Sequence, residues 1–220
     1  MNWENSKALT KLKKDFLKEF FSIEKRFFLT GGSALGIFYL DHRLSYDLDF
    51  FTCEKNINWK EIEGTIGLIS NKIDASFEHI KSAPTFHRFQ LVRNNEIELI
   101  DFVIEYVEQI DSVKNNISGM IIDTKNEISV NKICTLLSRS ETKDIIDLYF
   151  LHNEGFDIVK NIENAQKKDA GLEPAILSFL LSSITIKDIP NYMLKEISVN
   201  EINSFISDLQ IKLADIAFPK

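Results

Sequence analysis

Cysteine is nearly missing from this sequence: Cys53 and Cys134 are the two in 220 residues. They lack the spacing of paired metal ligands, so reduced thiols are expected rather than a zinc knuckle or a disulfide framework. No apolar run approaches about 18 residues. Met1 to Glu24 interleaves its apolar residues with Lys and Glu, so neither a membrane span nor a secretory leader is expected, and the cytoplasm is the expected location. Excess positive charge is missing too. The 26 Lys and Arg are outnumbered by 33 Asp and Glu, giving a net charge of −7 and a pI near 5.2. That argues against a broad nucleic-acid-coating surface and leaves room only for a local basic patch. Two nucleotide-binding loops are excluded as well, because no Gly-Lys-Ser/Thr run exists and Ser33 stands where a dinucleotide fingerprint needs glycine. Repeats and low-complexity tracts are absent.

The chain is organised around Phe27 to Phe51, FFLTGGSALGIFYLDHRLSYDLDFF. This stretch reads as a short buried strand, a tight Gly31-Gly32 turn, an apolar helix from about Ser33, a polar loop anchored by His42 and Arg43, and a second strand bearing Asp47 and Asp49. Alternation puts the two carboxylates on one face about 7 Å apart and turns Leu48 and Phe50 into the core. At an effective dielectric of about 20 such a pair repels by roughly 2.4 kcal/mol, so it calls for a cation. Oxygen ligands at this spacing suit Mg²⁺ shared with substrate phosphates. Gly31 and Gly32 permit close backbone approach, Ser33 is a candidate helix cap, and the amides of that helix start favour an anion.

Before this stretch, Asn5 to Phe21 has helical apolar spacing. After it, Asn58 to Ser70 reads as a helix, Asp74 to Lys81 and Phe86 to Val92 as strands, and Asn94-Asn95 as a hairpin turn into a strand from Glu96 to Ile104. In that last strand Ile97, Leu99, Asp101 and Val103 share a face, leaving Asp101 as an acid among apolar neighbours that needs a partner. If the strand lies beside Asp47 and Asp49, Asp101 is the third metal ligand, with Glu98 on the opposite face the weaker candidate. From about Ser129 the pattern turns helical: Val130 to Ser138, a helix capped at Ser140 or Glu141 and running to about His152, then Phe156 to Lys168, Glu173 to Leu181, Asp188 to Glu196 and Val199 to Ala217. Two domains are expected, residues 1–125 and 126–220.

These residues carry a family resemblance. Gly32-Ser33 followed by Asp47-Leu48-Asp49 is similar to the signature of the DNA polymerase β-type nucleotidyltransferases. LTGGSALGIFYLDHRLSYDLDFF more closely resembles the AbiEii family of nucleotidyltransferase toxins. Lys132, Leu136, Arg139, Lys143-Asp144 and Asp147-Leu148 resemble that family's second block, and together the two blocks cover about a quarter of the chain. The resemblance implies an α+β fold, in which a nucleotidyltransferase-type mixed sheet of five core strands flanked by helices is followed by a helical C-terminal domain. It implies Mg²⁺ or Mn²⁺, an NTP substrate, transfer of NMP with release of pyrophosphate to an RNA 3′ end such as tRNA or to a protein hydroxyl, and a cognate antitoxin, with no membrane partner. By the same resemblance, Asp47, Asp49 and Asp101 would bind metal. Gly32, Ser33, Lys132, Arg139 and Lys143 would meet phosphate, and Lys132 and Asp144 would act in transfer. In-line displacement at phosphorus needs such a mixture, because carboxylates bridge the metals while cations balance the triphosphate.

Plainer readings stand beside these. Asp101 also suits a buried acid paired with an arginine. Lys132, Arg139 and Lys143 fall at helical steps, so one continuous helix would set three cations on a stripe, yet a solvated charged face has the same pattern. Arg139 could equally hold Asp144 or Asp147. Arg88 and Arg93 read as solvent-facing, and His79, His87 and His152 as non-catalytic. Two rival functions fit the same residues: a small-molecule nucleotidyltransferase of the antibiotic-modifying type, or a catalytically silent nucleotide- or partner-binding module.

Overall fold

The computed structural model describes residues 2–219. It contains two compact units, Met1–Val107 with Val113–Thr124, and Glu108–Ser112 with Lys125–Lys220. The first is built on a seven-stranded mixed sheet. Its strands are β1 (Phe28–Thr30), β2 (Asp47–Thr52), β3 (Ser76–Ala83), β4 (Phe86–Arg93), β5 (Glu96–Ile104), β6 (Asn115–Ile117) and β7 (Met120–Ile122), in the order β3-β4-β5-β2-β1-β7-β6. The five strands β1 to β5 are those the sequence pattern anticipates, and the β6–β7 hairpin extends the sheet by two. Its turn holds Ser118 at φ 53° and Gly119 at φ 84°, the paired left-handed residues of a two-residue hairpin.

One face of this sheet is covered by helices α1 (Lys11–Ile23) and α3 (Trp59–Lys72). Phe16, Phe20 and Phe21 from α1 meet Phe50 and Phe102 from the sheet, and all five are at most 1% exposed. Burying each aromatic contributes about 2 to 3 kcal/mol, which makes this cluster a large part of the unit's core. The helix expected from Asn5 starts instead at Lys11. Thr10 takes the cap position, its hydroxyl accepting from the Lys13 amide, while Trp3–Asn5 forms a separate single turn. Asp41 then pins the intervening chain by accepting from Ser6 Oγ at 2.7 Å and from the Lys7 amide at 2.8 Å.

Between β1 and β2 there is no free-standing glycine turn. Strand β1 passes directly into α2 (Gly31–Ala34), which widens into a π-type helix over Leu35–Leu40. Ser33 therefore lies inside the helix, and the expectation that it caps the helix is corrected: Thr30 holds the cap position, without a side-chain cap bond. Thr30 instead donates to Asp123 Oδ2 at 2.7 Å.

The second unit is helical: α4 (Lys125–Ser138), α5 (Thr142–Asn153), α6 (Ile162–Lys168), α7 (Pro174–Ser182) and α8 (Val199–Ala217). Helix α8 opens with a full capping box between Ser198 and Glu201, which gives a sharp start. Two expectations fail here. Residues 188–196 form turns and a bridge rather than a helix, because Pro190 removes an amide and pushes Ile189 toward extended backbone. The helix through Lys132, Arg139 and Lys143 is broken after Ser138. Ser140 adopts φ 46°, and its hydroxyl turns back onto the Leu136 carbonyl.

Candidate active site

Strand β2 alternates as the sequence requires. Leu48 and Phe50 are fully buried, while Asp47, Asp49 and Phe51 on the other face are half-buried. Strand β5 pairs with β2 in parallel, with Asp49 opposite Asp101 and Asp47 opposite Leu99. This register brings Asp47, Asp49 and Asp101 together, with one carboxylate oxygen of each within 4.8 Å of the others. At an effective dielectric of about 20, each such pair of charges repels by about 3 kcal/mol. Arg88 offsets part of it: Nε and Nη2 donate to Asp101 Oδ1 and Oδ2 at 2.7 and 2.6 Å. The Asp101 hydrogen bonds, opposed by burial and reinforced by the nearby charges of Asp101, Asp47 and Asp49, raise the Arg88 pKa above its ordinary value. Asp101 is thus a buried acid paired with an arginine and also stands in a cluster with Asp47 and Asp49.

Three oxygen-bearing side chains converging from two adjacent strands fit a hard divalent cation such as Mg²⁺ or Mn²⁺. Glycines leave room for them. A Cβ at Gly31 would collide with the Asp49 carboxylate, and one at Gly32 would stand 2.5 Å from Arg43 Nη2. Gly31 also has φ +68°, which disfavours a side chain on conformational grounds. Ser45 Oγ donates to Asp47 Oδ1 at 3.1 Å, while His42 and Arg43 are buried in the loop before β2. Ser33 is 1% exposed, and its hydroxyl has no hydrogen-bond partner; an unmatched buried hydroxyl costs about 1 to 3 kcal/mol.

The remaining sequence candidates lie in the helical unit, where they form a different kind of cluster. Lys132 Nζ bridges Asp144 Oδ1 at 2.8 Å and Asp147 Oδ2 at 2.6 Å. Arg139, in the link between α4 and α5, donates from Nε to Asp144 Oδ2 at 2.8 Å and from Nη2 to Asp144 Oδ1 at 2.9 Å. Both aspartates are fully buried and Lys132 is 4% exposed. Burial works against the Asp144 charge, but hydrogen bonding from Arg139 and the charge and hydrogen bond of Lys132 outweigh it, and its pKa falls below the ordinary value. Lys143 pairs with Glu141 at 2.9 Å, and Asp147 is paired with Lys132. The anticipated single stripe of three cations does not form.

Glu98, the weaker ligand candidate, faces the core, where it pairs with Lys13 at 2.9 Å and accepts a hydrogen bond from the Thr10 hydroxyl at 2.6 Å. Burial raises its pKa despite Lys13. Arg88 and Arg93 are not simply solvent-facing. Arg88 holds Asp101, and Arg93 donates to Asp15 at 2.7 Å and to the Ile73 carbonyl at 3.2 Å. The signal for Arg88 was present but non-local: once the hairpin register is known, Arg88 lies directly opposite Asp101. His79 and His87 meet at 3.0 Å, and His87 stacks on Trp59.

Among the described residues, no helix is long and apolar enough to cross a membrane. In comparisons with known proteins, an alignment 153 positions long, covering 64% of this chain, is 31% identical to an uncharacterized protein of Aquifex aeolicus strain VF5 and spans 65% of that protein's length. The fold is shared with a crystal structure from H. pylori, provisionally assigned as a nucleotidyltransferase (22% identity, 94% of this chain and 93% of that one, TM-score 0.60). It is shared too with MenT4, a nucleotidyltransferase toxin of Mycobacterium tuberculosis H37Rv (14% identity, 93% and 82%, TM-score 0.60). Residues 15–219 match the model of the nucleotidyl transferase AbiEii toxin family of type IV toxin–antitoxin systems. With the span from within α1 to the end of α8 inside that match, the chain belongs to the AbiEii nucleotidyltransferase toxin family.

Proposed function

We propose that this protein is a metal-dependent nucleotidyltransferase, the toxin of a toxin–antitoxin or abortive-infection phage-defence pair. On this reading it acts in the cytoplasm and transfers NMP from an NTP to a hydroxyl, on an RNA 3′ end such as tRNA or on a protein. The observation that carries the reading is the convergence of Asp47, Asp49 and Asp101 beside a glycine whose Cβ would strike the Asp49 carboxylate. The acceptor oxygen bonds to the α-phosphorus, the bond from that phosphorus to the bridging oxygen breaks, pyrophosphate leaves, and the hydroxyl proton is lost to a base. Held by the three aspartates, Mg²⁺ or Mn²⁺ would supply Lewis-acid stabilisation of the charge on the phosphoryl oxygens.

Gly31 and Gly32 let the chain approach the triphosphate closely, and the unmatched Ser33 hydroxyl supplies a donor to it. Lys132, Arg139 and Lys143 are assigned to phosphate charge. For Asp144 we favour a positioning role over proton transfer, because both of its oxygens already accept from Lys132 and Arg139. An acid so engaged holds cations in place better than it takes a proton.

The test incubates purified protein with Mg²⁺, each labelled NTP, total RNA and a protein extract, with wild type beside Asp49→Ala. Label appearing on RNA or protein with wild type and absent with the variant is the expected result. Transfer that survives Asp47→Ala combined with Asp49→Ala sinks the site assignment. Intact NTP binding with no transfer to any macromolecule or small molecule points to a silent binding module.

A further inference from the structure

The carboxylate cluster is one end of a row that crosses the sheet. Thr30 is opposite Asp49, Asp49 opposite Asp101, Asp101 opposite Arg88, and Arg88 opposite Lys81. Directly paired residues share a face, and neighbouring strands are about 4.8 Å apart, so Lys81 stands about 10 Å along the sheet from Asp101. The row therefore runs hydroxyl, acid, acid, cation, cation on one face. Phe86, two residues before Arg88 on the same strand, joins the two cations. Lys81 Nζ lies 5.3 Å and Arg88 Cζ 5.7 Å from its ring centroid.

The two cations of the row are satisfied differently. Arg88 is committed to Asp101, and Lys81 is exposed on the edge strand β3 and makes no ion pair within the described residues. Like charges placed directly opposite across a strand pair destabilise the pairing, so Lys81 facing Arg88 is a local cost of the same sort as the crowded carboxylates beside them. An anion lying over Phe86 would relieve it. The half-buried Phe86 ring adds an apolar face on which a base or ribose could rest.

We propose that Lys81, Phe86 and Arg88 form a phosphate-binding subsite adjoining the carboxylate triad. The subsite takes a phosphoryl oxyanion either from the triphosphate of a nucleotide or from the phosphodiester backbone of an acceptor strand. It rests on the transferase reading only in assigning the sheet face as the substrate face. Lys81 supplies the mobile charge, and Arg88 remains the positioning residue for Asp101.

Binding, read by calorimetry, separates the two sources. One arm titrates inorganic tripolyphosphate with Mg²⁺, and the other titrates an eight-residue single-stranded oligoribonucleotide in the absence of NTP. Wild type is compared with Lys81→Glu, Lys81→Gln and Lys81→Arg, and with Lys187→Glu, an exposed lysine of the helical unit that controls for net charge. Loss of a charge-assisted contact weakens binding by about tenfold, so Lys81→Glu and Lys81→Gln are expected to lose that much for at least one probe, with Lys81→Arg and Lys187→Glu within about twofold of wild type. The weakened arm identifies the source of the phosphate. Unchanged binding of both probes to Lys81→Glu overturns the subsite, as does equal weakening by Lys187→Glu. Either failure leaves the transfer assay with Asp49→Ala to judge the transferase reading by itself.

Discussion

Each unit of this chain carries a cluster of aspartates held by cations, and the two clusters differ in access. In the sheet unit three carboxylates converge, two of them half-buried, and Arg88 neutralises one. In the helical unit two fully buried carboxylates are matched by Lys132 and Arg139. Burial without balance costs several kcal/mol per ion, so these buried carboxylates have to be matched. Partial exposure leaves the first cluster open to a cation from solvent, as a metal site needs. The same residue types at similar distances therefore suit a ligand set in one place and form a charge-matched network that holds its cations in the other.

The largest expected effect sharpens this contrast directly. Asp47→Ala combined with Asp49→Ala should lower labelled-NTP transfer by more than about a hundredfold while leaving the thermal melt within a few degrees of wild type, since both side chains lie on the half-open face. The helical cluster should behave in the opposite way. Lys132→Ala removes the cation shared by two buried carboxylates and is expected to cost about 3 to 5 kcal/mol in urea unfolding; a cost under 1 kcal/mol would break the distinction between the clusters.

The acid limb of stability tests the same cluster by pH. The Asp144 pKa is depressed in the folded chain from an ordinary value of 3.8. Its contribution is therefore fully present above about pH 4 and is lost as pH falls through the lower folded value. Asp144→Asn should flatten the decline in unfolding free energy below about pH 4, measured by urea titration at stepped pH. Arg88→Gln should cost less, about 1 kcal/mol, because its guanidinium is 34% exposed. Its more telling readout is Mn²⁺ affinity measured by electron paramagnetic resonance. An orienting partner of a ligand shifts metal affinity by about 10- to 100-fold, so an unchanged value would remove Arg88 from the site. Lys143→Ala, which loses only the pair with Glu141, should fall below about 0.5 kcal/mol.

Local pattern made much of this architecture readable. The Asp47-Leu48-Asp49 alternation, the Asn94-Asn95 hairpin and the long helix Val199–Ala217 all rest on periodicities of two or 3.6 residues, and all appear in the structure. Expectations failed where one residue overrode the pattern, at Pro190 in the segment 188–196 and at Ser140 between α4 and α5. Others failed where the partner lay far along the chain. Nothing near Arg88 announces Asp101, 13 residues on.

Composition and side-chain period were enough to establish an α+β chain with two carboxylates on one strand face, a glycine-rich entry into a helix, and a helical second half. Register and burial settled the rest. The β2–β5 and β4–β5 pairings bring Asp101 to Asp49 and Arg88 to Asp101, and the break at Ser140 turns Arg139 back onto Asp144. The physical reason is that periodicity is a property of neighbouring residues, whereas the energy of a charge depends on what the whole fold places within a few ångströms of it and on how much water it leaves there.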